Sequence, residues 1–204
     1  MKTPKDIVRD GYDRLAGVYR KHYQNDHKIR YESWLTEFSK RLLVNTSILE
    51  LGCADGIPTA EYLSQRFNYL GIDLSPVQIE HARKNVPVAQ FEVGDMTTLL
   101  FPDESFGGIV ALYSIIHVPL AEQPDLFRAM YRWLQSPGYL LCVVGAGEWT
   151  GTDNNWLTPG TTMYWSHADA TTYANWFAET GFTIIKTAFI PEGESGHTLF
   201  LLKK

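Results

Sequence analysis

The stretch that decides the fold is Ser47-Ile48-Leu49-Glu50-Leu51-Gly52-Cys53-Ala54-Asp55-Gly56, residues 47–56. An apolar run of strand length breaks off at Gly52, and a helix follows Gly56. Glycines at both places let the backbone turn tightly and approach a ligand closely. Taken alone, the segment also reads as a plain strand-to-helix turn. Short runs like residues 47–53 recur at 69–74, 89–93, 108–113 and 139–145. They are dense in Ile, Leu, Val and aromatic residues with little polar alternation, as strands covered on both faces are.

Helix signals fill the gaps. Ser75-Pro76-Val77-Gln78 reads as an N-cap, a proline at the first helical position and a capping-box partner. Leu126, Met130, Trp133 and Leu134 share a helical face closed by Pro137-Gly138, and a last helix starts around Ser166 to Asp169 and stops at Gly181. Residues 182–190 and 197–202 are strand-like, and the gap between them is too short for a crossover, so they pair antiparallel. In front lie a loose stripe (Ile7, Val8, Leu15, Ala16, Tyr19, interrupted by Gly11 and Gly17) and a cleaner one (Tyr31, Trp34, Leu35, Phe38, Leu42), joined by a polar connection. The reading is α/β: a Rossmann-like, seven-stranded, mostly parallel sheet with an antiparallel C-terminal hairpin, helices on both faces and an N-terminal helical cap. Residues 1–204 form one expected domain, with 1–45 as cap and 46–204 as core carrying a lid insertion at 148–167.

Composition narrows the partners. The 204 residues carry 18 Lys and Arg against 23 Asp and Glu, a net charge of -5. That gives no basic footprint for nucleic acid or an anionic membrane. The 2 cysteines, Cys53 and Cys142, form no metal-ligand spacing and no disulfide framework, so no metal is expected and a reduced, cytoplasmic location fits. The N-terminus lacks an apolar signal segment, and no apolar run is long enough to span a bilayer. Oligomeric state is not legible.

Ligands of open parallel sheets bind beyond the carboxyl ends of the strands. Asp73 ends the second strand, 21 positions after Gly52, the spacing at which an acid meets a ribose diol. Asp95-Met96 ends the third, where the acid can accept from an exocyclic adenine amine while the thioether packs on the ring. Each acid alone also reads as a solvated strand end; three at successive tips, with Glu50 on the first strand, make a constellation. A dinucleotide loop wants G-x-G-x-x-G/A, and Gly52, Ala54 and Ile57 stand at those places, so two glycines are missing. Glu50 and Asp55 suit a cationic amino-acid tail better than a pyrophosphate.

The residues 50–56 resemble the first motif, E-x-G-C-G-x-G, of class I S-adenosylmethionine-dependent methyltransferases. Gly71-Ile72-Asp73-Leu74-Ser75 and Gly94-Asp95-Met96 are similar to its second and third signatures. Phe101-Pro102-Asp103-Glu104-Ser105-Phe106 and Leu134-Gln135-Ser136-Pro137-Gly138-Tyr139 resemble the segments before strands four and five. Tyr12-Asp13-Arg14-Leu15-Ala16 with Tyr19 resembles the Y-D-x-L-A helix of small-molecule members. The resemblance implies S-adenosyl-L-methionine as cofactor, with Gly52, Ala54 and Gly56 passing the methionine moiety and Glu50 near its amino group. It implies Asp73 on the ribose hydroxyls, Leu74 beside adenine, Asp95 and Met96 on its edge and face, and Tyr19 over the methionine end. Ala54 departs from the family's glycine and is acceptable where its φ is negative.

For a small organic acceptor, His117 after the fourth strand is the base candidate, a rim position that also suits plain packing. His167 is a lesser one; His22, His27, His81 and His197 read as surface or connector residues. Trp149, Trp156, Tyr164 and Trp165 in the insertion, with Tyr12 and Tyr23 from the front, read as an aromatic lid over the acceptor or as a satellite core. Aminopropyl transfer would want an acid after strand four, where Tyr113 and Ser114 stand. A non-catalytic cofactor-binding partner is the other alternative.

Overall fold

In a computed structural model, residues 2–19, 26–193 and 195–204 are described, with side chains of 26–29 left aside. Seven strands form one sheet in the order β3-β2-β1-β4-β5-β9-β8. These are β1 (Ser47–Leu51), β2 (Asn68–Asp73), β3 (Gln90–Val93), β4 (Phe106–Ala111), β5 (Leu134–Gly145), β8 (Thr183–Glu192) and β9 (Ser195–Lys203). Pairs β1–β2, β2–β3, β1–β4 and β4–β5 are parallel, whereas β5–β9 and β8–β9 are antiparallel. Strand order reverses between β2 and β4 around β1, which places the binding crevice above those tips.

The apolar runs explain the layering. Successive side chains of a strand point to opposite faces, so Leu49 and Leu51 join one core while Ile48 joins the other. The first core packs against Phe127, Met130 and Trp133 of α5 (Gln123–Trp133) and against Tyr173 and Phe177 of α6 (Ala170–Thr180). The second packs against Leu35 and Phe38 of α2 (Asp26–Ser39), Leu63 of α3 (Thr59–Leu63) and Ile79 of α4 (Pro76–Asn85). Asp169 caps α6 and Gly181 ends it at φ 108. Ser75 caps α4 by accepting from the Gln78 N–H, but the reciprocal half of the expected capping box does not form: the buried Gln78 amide has no partner among the described residues.

Two features depart from the chain-wise reading. The insertion at 148–167, expected as a lid with no strands assigned to it, contains a two-stranded ladder, β6 (Trp149–Asp153) with β7 (Met163–His167). Gly151 lies under the Trp149 ring, where a Cβ would sit 2.9 Å from it. Gly11, which breaks the first helical stripe, lies inside α1 (Pro4–Leu15), a helix opened by a Thr3–Asp6 capping box. Gly11 is where α1 crosses the hairpin: a Cβ there would stand 2.8 Å from Met163 Cε and 2.9 Å from the Thr162 carbonyl oxygen. Among the described residues no helix is long and apolar enough to cross a membrane.

Alanine favours a helix over glycine by about 0.5–1 kcal/mol, yet overpacking costs about 1–3 kcal/mol. Gly11→Ala is therefore expected to lower the melting temperature by roughly 2–6 °C. A thermal melt in which the variant is as stable as wild type or more so would refute the close crossing.

Candidate active site

The tips of β1 to β4 surround a cavity of about 420 Å³. Its wall carries Glu50, Gly52, Ala54, Asp55, Asp73, Leu74, Asp95 and Met96 from the sheet side, and Lys5, Val8, Tyr12 and Tyr19 from the N-terminal segment. Four acids thus face one lysine among the described lining residues.

The turn after β1 is built around a close approach. Ser114 donates its hydroxyl to the Leu51 carbonyl at 2.6 Å, and a Cβ on Gly52 would lie only 2.2 Å from Ser114 Cβ. Gly52 also stands at φ 81 and Gly56 at φ 80, so both need glycine's freedom. Ala54 corrects the expectation of a negative φ: it stands at φ 46. Its N–H donates to Asp73 Oδ2 at 2.8 Å. Holding a Cβ-bearing residue left-handed costs about 1–2 kcal/mol. Gly56 lies behind the wall, with Phe91 and Val86 beyond it.

Asp73 bridges two loops, since its Oδ1 accepts from the Ser75 N–H at 2.9 Å. Burial raises its pKa to about 6, with the backbone donors of Ser75 and Ala54 opposing. Burial likewise pushes Glu50 up to about 8, against hydrogen bonds from Tyr69 and Thr59. Tyr69 donates its hydroxyl to Glu50 Oε2. A cation entering the cavity would favour the charged form of both acids. Asp95 is already engaged by neighbouring groups. Its Oδ1 takes the Thr97 N–H (2.9 Å) and hydroxyl (2.8 Å), and its Oδ2 pairs with Lys5 at 2.8 Å. Against burial, these partners hold its pKa below the usual value. Three of a carboxylate's roughly four lone-pair sites are thereby used.

His117 lies on the cavity wall in the 3-10 turn Ile115–His117. Its Nδ1 is 2.7 Å from the Tyr164 carbonyl oxygen, an acceptor only, so that nitrogen carries the proton. Nε2 then accepts from the Tyr12 hydroxyl at 2.9 Å. Burial lowers the histidine's pKa to about 4. The turn is locked by the fully buried Gln123, whose amide donates to the carbonyls of Ile115, Val118 and Ser166.

The aromatic insertion is arranged differently from a wall. Trp149, Tyr164 and Trp165 do not line the cavity. Trp165 instead backs His117, with ring centroids 5.7 Å apart, and Trp149 is partly exposed. Trp156 packs on Tyr12 at 5.7 Å and on Tyr19 at 5.9 Å. Tyr23 lies outside the described residues. His197 is no surface or connector residue: it sits edge-on to Tyr113 at 5.0 Å, with Nδ1 3.3 Å from Glu192 Oε2. Because β9 runs antiparallel to β5, its first residues arrive at the cavity end of the sheet. The chain-wise reading also missed Lys5, Tyr31 and Tyr113 on the wall. Lys5 follows the same helical face as Val8 and Tyr12, at i, i+3 and i+7, which is the signal that would have found it.

Fold and cavity define a class: an α/β protein with a nucleoside-sized crevice of net negative charge at the strand-order reversal. A family model described as a methyltransferase domain matches residues 19–187, and the chain belongs to that family. A phosphoethanolamine N-methyltransferase from Triticum aestivum is 34% identical over 101 residues, covering 46% of this chain and 19% of that protein. A sterol 24-C-methyltransferase from Aspergillus fumigatus is 26% identical over 142 residues, covering 66% and 34%. The chain thus spans about a fifth of the first relative's length. Among solved structures, magnesium protoporphyrin IX methyltransferase from Synechocystis with bound SAM superposes with a TM-score of 0.77 at 14% identity, covering 100% of this chain and 98% of that one. A SAM-dependent methyltransferase from Methanosarcina mazei gives 0.72 at 18% identity, covering 81% and 95%.

Removing the bridging carboxylate with Asp73→Ala is expected to weaken S-adenosylhomocysteine binding roughly 10- to 150-fold, the loss of a charged hydrogen bond of about 1.5–3 kcal/mol. Calorimetry returning the wild-type constant would remove Asp73 from the ribose. Since burial raises the pKa values of Glu50 and Asp73, a cationic cofactor that ionises them releases protons. Affinity for S-adenosylmethionine should therefore rise as pH climbs from about 6 to 8. Titration at pH 7 in buffers of different ionisation enthalpy would show the release; heats independent of buffer would contradict it.

Proposed function

We propose that the chain transfers the methyl group of S-adenosylmethionine to a small organic acceptor. The observation that carries this reading is the acid-lined cavity at the strand reversal. Glu50, Asp55, Asp73 and Asp95 surround one lysine that is itself paired. Such a cavity favours a sulfonium and an ammonium and repels a pyrophosphate, which sets the dinucleotide reading aside. In this reading Asp73 takes the ribose hydroxyls, Leu74 and Met96 flank adenine, and Asp95 offers its remaining lone pair to the adenine edge. Gly52 and Ala54 let the methionine tail pass, with Glu50 below its amino group and Tyr19 above.

The reaction is an in-line displacement. The acceptor's lone pair forms the bond to the methyl carbon as the C–S pair returns to sulfur, leaving S-adenosylhomocysteine. Orientation supplies roughly 7–11 kcal/mol in such reactions, whereas a general base adds about 10²- to 10⁴-fold. Holding the two partners in line is thus the main task. His117 contributes through Tyr12: with the phenol proton committed to Nε2, the Tyr12 oxygen presents lone pairs to a donor on the acceptor. Residues 1–45 serve as a cap, and the hairpin at 148–167 supports His117 from behind. Aminopropyl transfer is less favoured, because Tyr113 and Ser114 occupy the tip of β4 where an acid would be wanted. A non-catalytic partner would bind the cofactor without turnover.

Transfer of label from methyl-labelled cofactor across a panel of amines, phenols, thiols and carboxylic acids tests the reading; binding with no transfer to any class favours the non-catalytic partner. Tyr12→Phe and His117→Ala should each lower turnover, the latter by no more than about 10⁴-fold, with S-adenosylhomocysteine affinity little changed. Wild-type rates in both variants would leave the pair a packing contact. His117 has a depressed pKa of about 4, so its neutral form contributes stability above its unfolded pKa of about 6.5. That stability is lost as pH falls toward 4. Accordingly the activity profile should show no histidine limb between about pH 5.5 and 8; a limb near 6.5 that vanishes in His117→Ala would contradict the buried neutral state.

A further inference from the structure

Lys5 stands in the first helical turns of α1 and reaches two other parts of the fold. Its Nζ lies 2.8 Å from Asp95 Oδ2, 2.5 Å from Thr97 Oγ1 and 2.5 Å from Glu122 Oε2. Asp95 and Thr97 follow β3, while Glu122 ends the short turn Leu120–Glu122 that leads into α5. Farther along α1, Asp13 Oδ1 accepts the Ser75 hydroxyl at 2.5 Å, next to the tip of β2. The helix is therefore tied at both ends across the β2–β3 side of the cavity, and Lys5, Val8 and Tyr12 line the wall between. A nucleoside held by Asp73, Leu74, Asp95 and Met96 would lie beneath it.

We propose that Lys5 is a positioning residue for the cofactor. Its ion pair with Asp95, backed by Glu122, keeps α1 closed over the nucleoside, slows the cofactor's release, and keeps the Asp95 carboxylate aligned. The inference rests on the cofactor reading above. Lys5 has a side-chain exposure of 25% and Asp95 of 24%, so the pair is screened less than a surface bridge and still feels salt. A pair of this kind changes an equilibrium modestly, by roughly 3- to 10-fold. The same helix carries Tyr12 onto His117, so the lysine on the adenine side also fixes the register of the acceptor side.

S-adenosylhomocysteine, a cofactor product without the sulfonium, is the probe, and its release is followed by stopped-flow displacement. Lys5→Met is expected to raise the dissociation constant roughly 3- to 10-fold, mostly through faster release, and Lys5→Arg to restore most of it. In an Asp95→Asn background the effect of Lys5→Met should shrink below about 2-fold, because the partner is already neutral. Raising salt from about 0.1 to 1 M should speed release more from wild type than from Lys5→Met. A purely structural lysine would lower the melting temperature without this dependence on Asp95 or salt. Wild-type release from Lys5→Met, or an equal loss in both backgrounds, would overturn the proposal. Wild-type protein that fails to bind the probe at all would instead bring down the cofactor reading on which it rests.

Discussion

The carboxylate of Asp73 is the tie on which the site depends. One oxygen takes the Ala54 N–H and the other the Ser75 N–H, so a single side chain joins the turn after β1 to the turn after β2. Ala54 stands there in a left-handed backbone. With Gly52 wedged against Ser114, the loop becomes a tight bend whose amides and acids face one space. Burial makes the charge on Asp73 and Glu50 unfavourable. The energetic complement of the site is a positive ligand.

Around that bend, the fold brings three sequence-distant pieces to one opening. Helix α1 crosses from above because Gly11 lets it approach the β6–β7 hairpin. The hairpin in turn fixes His117 through the Tyr164 carbonyl, and Gln123 ties turn, hairpin and α5 into one hydrogen-bonded unit. His117 is consequently held in one tautomer with both nitrogens occupied. Such a group orients a neighbour better than it titrates. On the far side, the β8–β9 turn brings Glu192 and His197 beside Tyr113, itself at φ 57. Strained backbone at a strand tip is typical of places where a side chain must be aimed.

Much of this was legible along the chain. The central strands β1, β4 and β5 showed as short apolar runs because the sheet is covered on both faces there, whereas the edge strand β3, read the same way, has only Phe91 buried; the short gap at 191–196 required the antiparallel hairpin. The glycine bend and the acids at 73 and 95 could be read because each sits at a strand end, where local spacing corresponds to position in space. Less legible were contacts made by residues far apart in sequence. Lys5 meets Asp95 across 90 positions and Tyr12 meets His117 across 105. Trp165 and Tyr164 looked like lid residues by composition, but the pairing of β6 with β7 sets the Trp165 ring behind His117, while Tyr164 meets that histidine through its backbone carbonyl.

The amino-acid sequence by itself determined the α/β layering, the order of strand and helix, and the acids that crown the parallel strands, because these follow from local periodicity and from residues adjacent to a turn. Tertiary structure alone decided the sign of φ at Ala54, the tautomer of His117, the engagement of Asp95 by Lys5 and the arrival of His197 beside Tyr113. Each of these depends on a partner delivered by another element, and the direction of a hydrogen bond or the closeness of two charges exists only once both ends are held in space.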